Sequence, residues 1–238
     1  TDAQAQTPAE APARASTRSV PSGRESPASS SAPAADGATW SRPILALLVA
    51  NLGLNAAFGS FITTYAPLAT TELAFSIAEV GILWSLFGVG DIVIGPWLAH
   101  IGDRTGRRRM AILASLPILV FTAAFVAELP RPLLFASAIV AGGGLAAFSA
   151  CWYALLAVAA PPARQARVIA TVMALSNLGI VVGATVAAGV WDAASLRTAA
   201  AVPALATVAA ALGLLFVPPD RPDREAEASA EPFEPAPV

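Results

Sequence analysis

The chain has 238 residues, of which 56% are hydrophobic and only 13% charged, with a mean hydropathy of +0.65. A soluble domain carries about 25% charged residues, so this composition places the chain in lipid. No basic stripe with interleaved aromatics occurs, which excludes nucleic acid as a partner; one cysteine, Cys151, and one histidine, His100, exclude an intrachain disulfide, a His-based triad and a multi-His metal site. No metal and no cofactor is expected, and the net charge of -2 says nothing of partners because charge sits in tails and loops. All 14 basic residues are Arg, which together with heavy Ala use points to a GC-rich, bacterial genome.

Residues 1–40 are rich in Ala, Ser and Pro without a hydrophobic period, and read as a disordered cytoplasmic tail or a linker. Residues 41–217 hold six apolar segments, at 43–66, 77–101, 109–127, 132–159, 168–190 and 196–217. A spanning helix takes about 20 mostly apolar residues. Lipid offers the backbone no hydrogen-bond partner, so each segment is expected as a helix. The connections 67–76, 102–108, 128–131, 160–167 and 191–195 are short and punctuated by Pro, Gly or charge. Residues 218–238 form an acidic, Pro-rich stretch read as a second disordered cytoplasmic tail. The expected fold class is an all-α membrane protein whose six transmembrane helices form one bundle.

Counting Arg orients the bundle, because cytoplasmic loops carry excess basic residues. With both termini inside, the inner side holds Arg14, Arg18, Arg24, Arg42, Arg104, Arg107, Arg108, Arg109, Arg164, Arg167, Arg221 and Arg224, and the outer side only Arg131 and Arg197. Trp40, Trp97 and Trp191 lie near segment ends, as interfacial anchors do. The expected location is a bacterial inner membrane, crossed several times.

The densest charge lies between the second and third segments, in Asp103-Arg104-Thr105-Gly106-Arg107-Arg108. This run, in this place, resembles the signature loop of major facilitator superfamily transporters: Gly, three residues, Asp-Arg, any residue, Gly-Arg-Arg or Lys. The leading Gly is replaced by Ala99, with Gly102 beside the Asp. The resemblance covers residues 43–217. It implies one six-helix half of a transporter built from two such halves, the C-terminal half if residues 1–40 are the linker. Thr1 in place of Met fits either a piece of a longer chain or a processed end. The resemblance also makes Asp103, Arg104, Gly106, Arg107 and Arg108 a conformational latch, whose Asp complements a helix dipole in the opposite half. The fifth segment carries Asn177, Gly179, Gly183 and Gly189, a degraded likeness of the Gly-rich antiporter motif with Ala184 where its Pro would stand. Small residues four apart equally suit plain helix packing, the reading that outweighs antiport.

Asp91 lies mid-way along the second segment, where a carboxylate costs about 2.5–3.5 kcal/mol and belongs in a cavity or against a partner. It is the candidate for proton coupling or for holding a polar substrate; a protonated Asp bonded to a neighbouring helix is the structural alternative. Helical spacing puts Gly81, Trp84, Gly88, Asp91 and Gly95 on one stripe, expected to face protein. Asn51 and Asn55 on the first segment need partners in lipid. The resemblance places Asn51, Asn55, Asp91, Trp152, Tyr153, Ser176 and Asn177 on cavity-lining helices. Gly142, Gly143 and Gly144 are expected to permit bending or close packing, and the lone His100 is read as structural.

The leading function is secondary active transport of a small solute by alternating access, with proton-coupled efflux as one mode and with lipid, protons and a second six-helix half as partners. The alternative is a non-transporting or truncated half, or a subunit active only with a partner half. An enzyme is not expected: no P-loop, HExxH or GxSxG motif is present.

Overall fold

The computed structural model of the chain describes residues 40–219. The two tails expected to be disordered, with Arg14, Arg18, Arg24, Arg221 and Arg224, lie outside the described residues apart from their inner edges. The described residues form helices and turns only: α1 (Arg42–Thr71), α2 (Ile77–Val93), α3 (Gly95–Thr105), α4 (Arg107–Val126), α5 (Arg131–Ala159), α6 (Gln165–Ala193), α7 (Leu196–Ala199) and α8 (Val202–Leu214). Five helical stretches are long and apolar enough to cross a membrane, and a sixth is supplied by α2 and α3 taken together.

Three boundaries differ from the expected ones, each for a local reason. The second span is broken at Ile94 and bent by 41°. Pro96 has no N–H for the carbonyl four residues back and its ring crowds that turn. Pro203 acts alike in the sixth span, which divides into α7 and α8. Pro67, by contrast, does not end the first helix, which runs on to Thr71. Leu68 and Ala69 beyond it are buried with Tyr65, Phe75 and Leu196, and that burial outweighs one missing hydrogen bond.

The spans pack in a symmetric pattern. The first crosses the fifth and the second crosses the fourth; the first also packs on the sixth, and the third on the fourth and sixth. Exchanging spans one to three with spans four to six maps this set of contacts onto itself. Three spans reverse the chain's direction, so the two triplets are inverted repeats. Both major crossings are backbone to backbone. A Cβ on Gly59 or Gly183 would fall inside the backbone of Ile180 or Ala56, and one on Gly90 or Gly142 inside that of Ile139 or Phe87. The Gly142–144 run therefore serves close packing, within one continuous α5.

Two apolar cores result. One, at the Gly106 end, gathers Leu47, Met110, Phe148, Trp152, Val172 and Leu214. The other, at the opposite end, gathers Tyr65, Leu83, Phe121, Phe125, Leu134 and Leu196.

Candidate functional site

Two recesses adjoin, one straddling the two cores and the other bordering the core at the Gly106 end. The polar one has a cavity volume of about 200 Å³ and is lined by Asn51, Leu54, Asn55 and Phe58 of α1, Leu145, Ser149, Trp152 and Tyr153 of α5, and Met173 of α6. Four of the expected residues, Asn51, Asn55, Trp152 and Tyr153, thus meet in one place. Asn55 donates through Nδ2 to the Asn51 carbonyl at 2.8 Å, which orients its amide. The Asn51 side chain is 8% exposed and makes no hydrogen bond among the described residues, so its amide is available to whatever enters. Trp152 is pinned: its indole Nε1 donates to the Leu47 carbonyl at 2.8 Å. Tyr153 stands edge-on to it, ring centroids 5.0 Å apart, and is itself exposed.

The second recess is a narrow cleft of about 30 Å³ that shares Leu54, Phe58 and Leu145 with the first and adds Phe61, Trp84, Phe87 and Phe121. The sequence alone does not mark these rings as a site. Their helical spacings, Phe58–Phe61, Trp84–Phe87 and Phe121–Phe125, are the signal that points to them.

The remaining candidates lie elsewhere. Asp91 is exposed on α2, lines neither recess and has no side-chain partner among the described residues, although its backbone abuts Gly142. Ser176 is fully buried and its hydroxyl has no partner among the described residues. Asn177 is exposed and lines neither recess. The expected stripe of Gly81, Trp84, Gly88, Asp91 and Gly95, which runs from α2 into α3, does not face protein throughout. Gly81 and Gly88 face open space, whereas Gly90 and Gly95 carry the contact with α5. The buried face is centred on Leu83 and Gly90, rotated from the stripe that Asp91 marks.

The charged run is almost wholly helical. Asp103, Arg104 and Thr105 close α3, Arg107–Arg109 open α4, and only Gly106 stands between, at φ 104° and ψ 120°. That positive φ is what glycine supplies there. Two parts of the run oppose the local helix dipoles, Asp103 near the C-terminal end of α3 and the bases in the first turn of α4, each by about 0.3–1 kcal/mol, while Arg104 in the last turn of α3 agrees with its dipole. Asp103 and Arg107 offset part of this by pairing at 3.1 Å. Arg108 donates to the Leu215 carbonyl at 2.9 Å and so caps the end of α8. At the opposite end Arg131 pairs with Glu79 at 2.7 Å and Arg197 pairs with Glu128.

A polytopic helical membrane protein, built from inverted triplets around a recess and carrying this charged turn after its second span, is a transporter by class. The Major Facilitator Superfamily model matches residues 28–238, and the chain belongs to that superfamily. No curated protein matches the sequence significantly.

Proposed function

We propose that the chain moves a small solute by alternating access, as one six-helix half that works with a second, and that it does so in a bacterial inner membrane with both termini in the cytoplasm. The observation that carries this reading is the convergence of Asn51, Asn55, Trp152 and Tyr153, from the first and fourth spans, on one recess beside the core at the Gly106 end. Secondary transporters of this type hold substrate near the midplane, between repeats. Asp91 is the proton-coupling group. It is a carboxylate in mid-span, exposed and without a partner among the described residues, where its charge is costly unless a second half or a proton meets it. Asp103, Arg104, Gly106, Arg107 and Arg108 form the latch. Asp103 and the bases that open α4 oppose their helix dipoles, a placement that helix stability does not account for and the latch does.

The test uses everted vesicles carrying the full chain, energised to acidify their interior, with the fluorescent amine ACMA as reporter. Ethidium, sucrose and leucine are offered in turn. A transported, proton-exchanged solute restores the fluorescence. In Asp91→Asn this recovery is lost, while exchange of labelled for unlabelled solute, which moves no net proton, continues. Recovery undiminished in Asp91→Asn removes the coupling role; no solute movement in any variant favours the non-transporting alternative.

A further inference from the structure

The end of the bundle that bears Gly106 is charged almost wholly in one sense. Among the described residues it carries Arg42, Arg104, Arg107, Arg108, Arg109, Arg164 and Arg167, against one acid, Asp103. Asp103 pairs with Arg107 at 3.1 Å, and Arg104 and Arg109, both exposed, flank that pair in sequence. An anion brought to the first turn of α4 is attracted twice, by the bases there and by the positive end of the helix dipole.

The chain carries such an anion and delivers it to that place. Residues 218–238 hold Asp220, Asp223, Glu225, Glu227, Glu231 and Glu234 against Arg221 and Arg224. The point from which they start is fixed. Val217 is buried in the core at the Gly106 end, and Arg108 donates to the Leu215 carbonyl two residues before it. Arg108 belongs to the first turn of α4, so the acidic segment begins beside the bases. Asp220 lies three residues beyond Val217 and Glu227 ten, which even fully extended span at most about 11 and 36 Å. A tether of this length gives an effective concentration in the millimolar range. Several exposed ion pairs, each weak alone, then act together.

We propose that residues 220–227 dock on the arginine face around Gly106, with their carboxylates against Arg104, Arg109 and the first turn of α4. Asp103 then has a rival for Arg107, so this acidic strap and the latch draw on the same bases. Docking itself needs no transport cycle; only its meeting with the latch rests on the transport reading.

The chain contains no Lys, which makes the contact readable by a carbodiimide. The reagent joins a carboxylate to an adjacent lysine amine as an amide, with loss of water. Arg104→Lys and Arg109→Lys each keep the charge and introduce one such amine. In the full chain in dodecyl maltoside, each is expected to be joined within the monomer to Asp220, Asp223, Glu225 or Glu227, as read by peptide mass spectrometry. The reference is Arg167→Lys, exposed at the same end and next to Val168, which shares a core with Val217. Its link to the segment is expected to form at least about tenfold more slowly. Raising salt from about 0.1 to about 1 M shortens the Debye length from about 10 to about 3 Å and is expected to abolish the preference. Arg131→Lys, joined to Glu79, checks the reagent. Either variant near Gly106 decides if the other fails to fold. Equal rates at the three positions would mean that the segment samples the whole end, and would overturn the docking. A preference that survives high salt would overturn its ionic basis. Links that form in phosphatidylcholine nanodiscs but not in phosphatidylglycerol ones would assign the face to anionic headgroups and overturn the strap. None of these outcomes depends on whether the chain transports, which the vesicle experiment decides separately.

Discussion

Gly106 shows how much one residue carries. It alone separates α3 from α4, at φ 104° and ψ 120°, in a region that side chains with a Cβ rarely enter. Nothing lies within 4 Å of the site a Cβ would take, so substitution tests backbone strain and not packing. Gly106→Ala is expected to cost about 1–3 kcal/mol, read as a lower unfolding temperature in detergent; an unchanged temperature would mean that the turn relaxes at no cost. The charged run around Gly106 was legible in the sequence, because such a cluster between apolar segments has few other places to be. That the run is helix, broken by one residue, was not. Asp103 pairs with Arg107 one turn on, and Arg108 reaches the end of α8, contacts that depend on how distant parts of the chain meet.

At the scale of elements, the apolar segments were legible because lipid leaves a helix as the only way to satisfy the backbone. Their breaks were less so. Pro67 and Pro96 look alike in sequence, yet one sits inside a helix and the other opens one after a 41° bend. The difference lies in how deeply the residues beyond each proline are buried, which no local pattern states. The glycines of α6 divide in the same way. Gly183 meets the backbone of Ala56, whereas nothing lies within 4 Å of Gly189. Gly183→Leu is expected to force α1 and α6 apart, at a cost above the roughly 1–3 kcal/mol of ordinary overpacking, because backbone cannot yield as a side chain does. Gly189→Leu is expected to fall within about 0.5 kcal/mol of the parent. Size-exclusion profiles and unfolding temperatures of the two variants, side by side, decide it. Similar behaviour would contradict a backbone-to-backbone crossing of α1 and α6.

At the scale of the molecule, the polar half of the candidate site was legible because Asn in lipid demands a partner, and Asn51 and Asn55 do face one recess. The aromatic half was not, since Phe and Trp at helical spacing are as common in plain cores; only tertiary structure distinguishes a wall from a filling. Orientation in the membrane is the remaining global property, and here the described residues sharpen the argument from counting. The end that bears Gly106 carries Arg42, Arg104, Arg107, Arg108, Arg109, Arg164 and Arg167, against Arg131 and Arg197 at the other. Those last two are each held by an acid, Glu79 and Glu128. The basic excess is thus concentrated at one end, and the positive-inside rule predicts that end in the cytoplasm. Cys151 is buried, 3% exposed, so the native chain gives little background for thiol labelling. Thr105→Cys, exposed at the Gly106 end, is expected to react with a membrane-impermeant maleimide in everted vesicles and not in right-side-out ones; Glu72→Cys, exposed at the other end, is expected to do the opposite. The reverse result would place the latch outside, and the closure ascribed to Asp103 and its Arg neighbours would then have to act on the other face of the membrane.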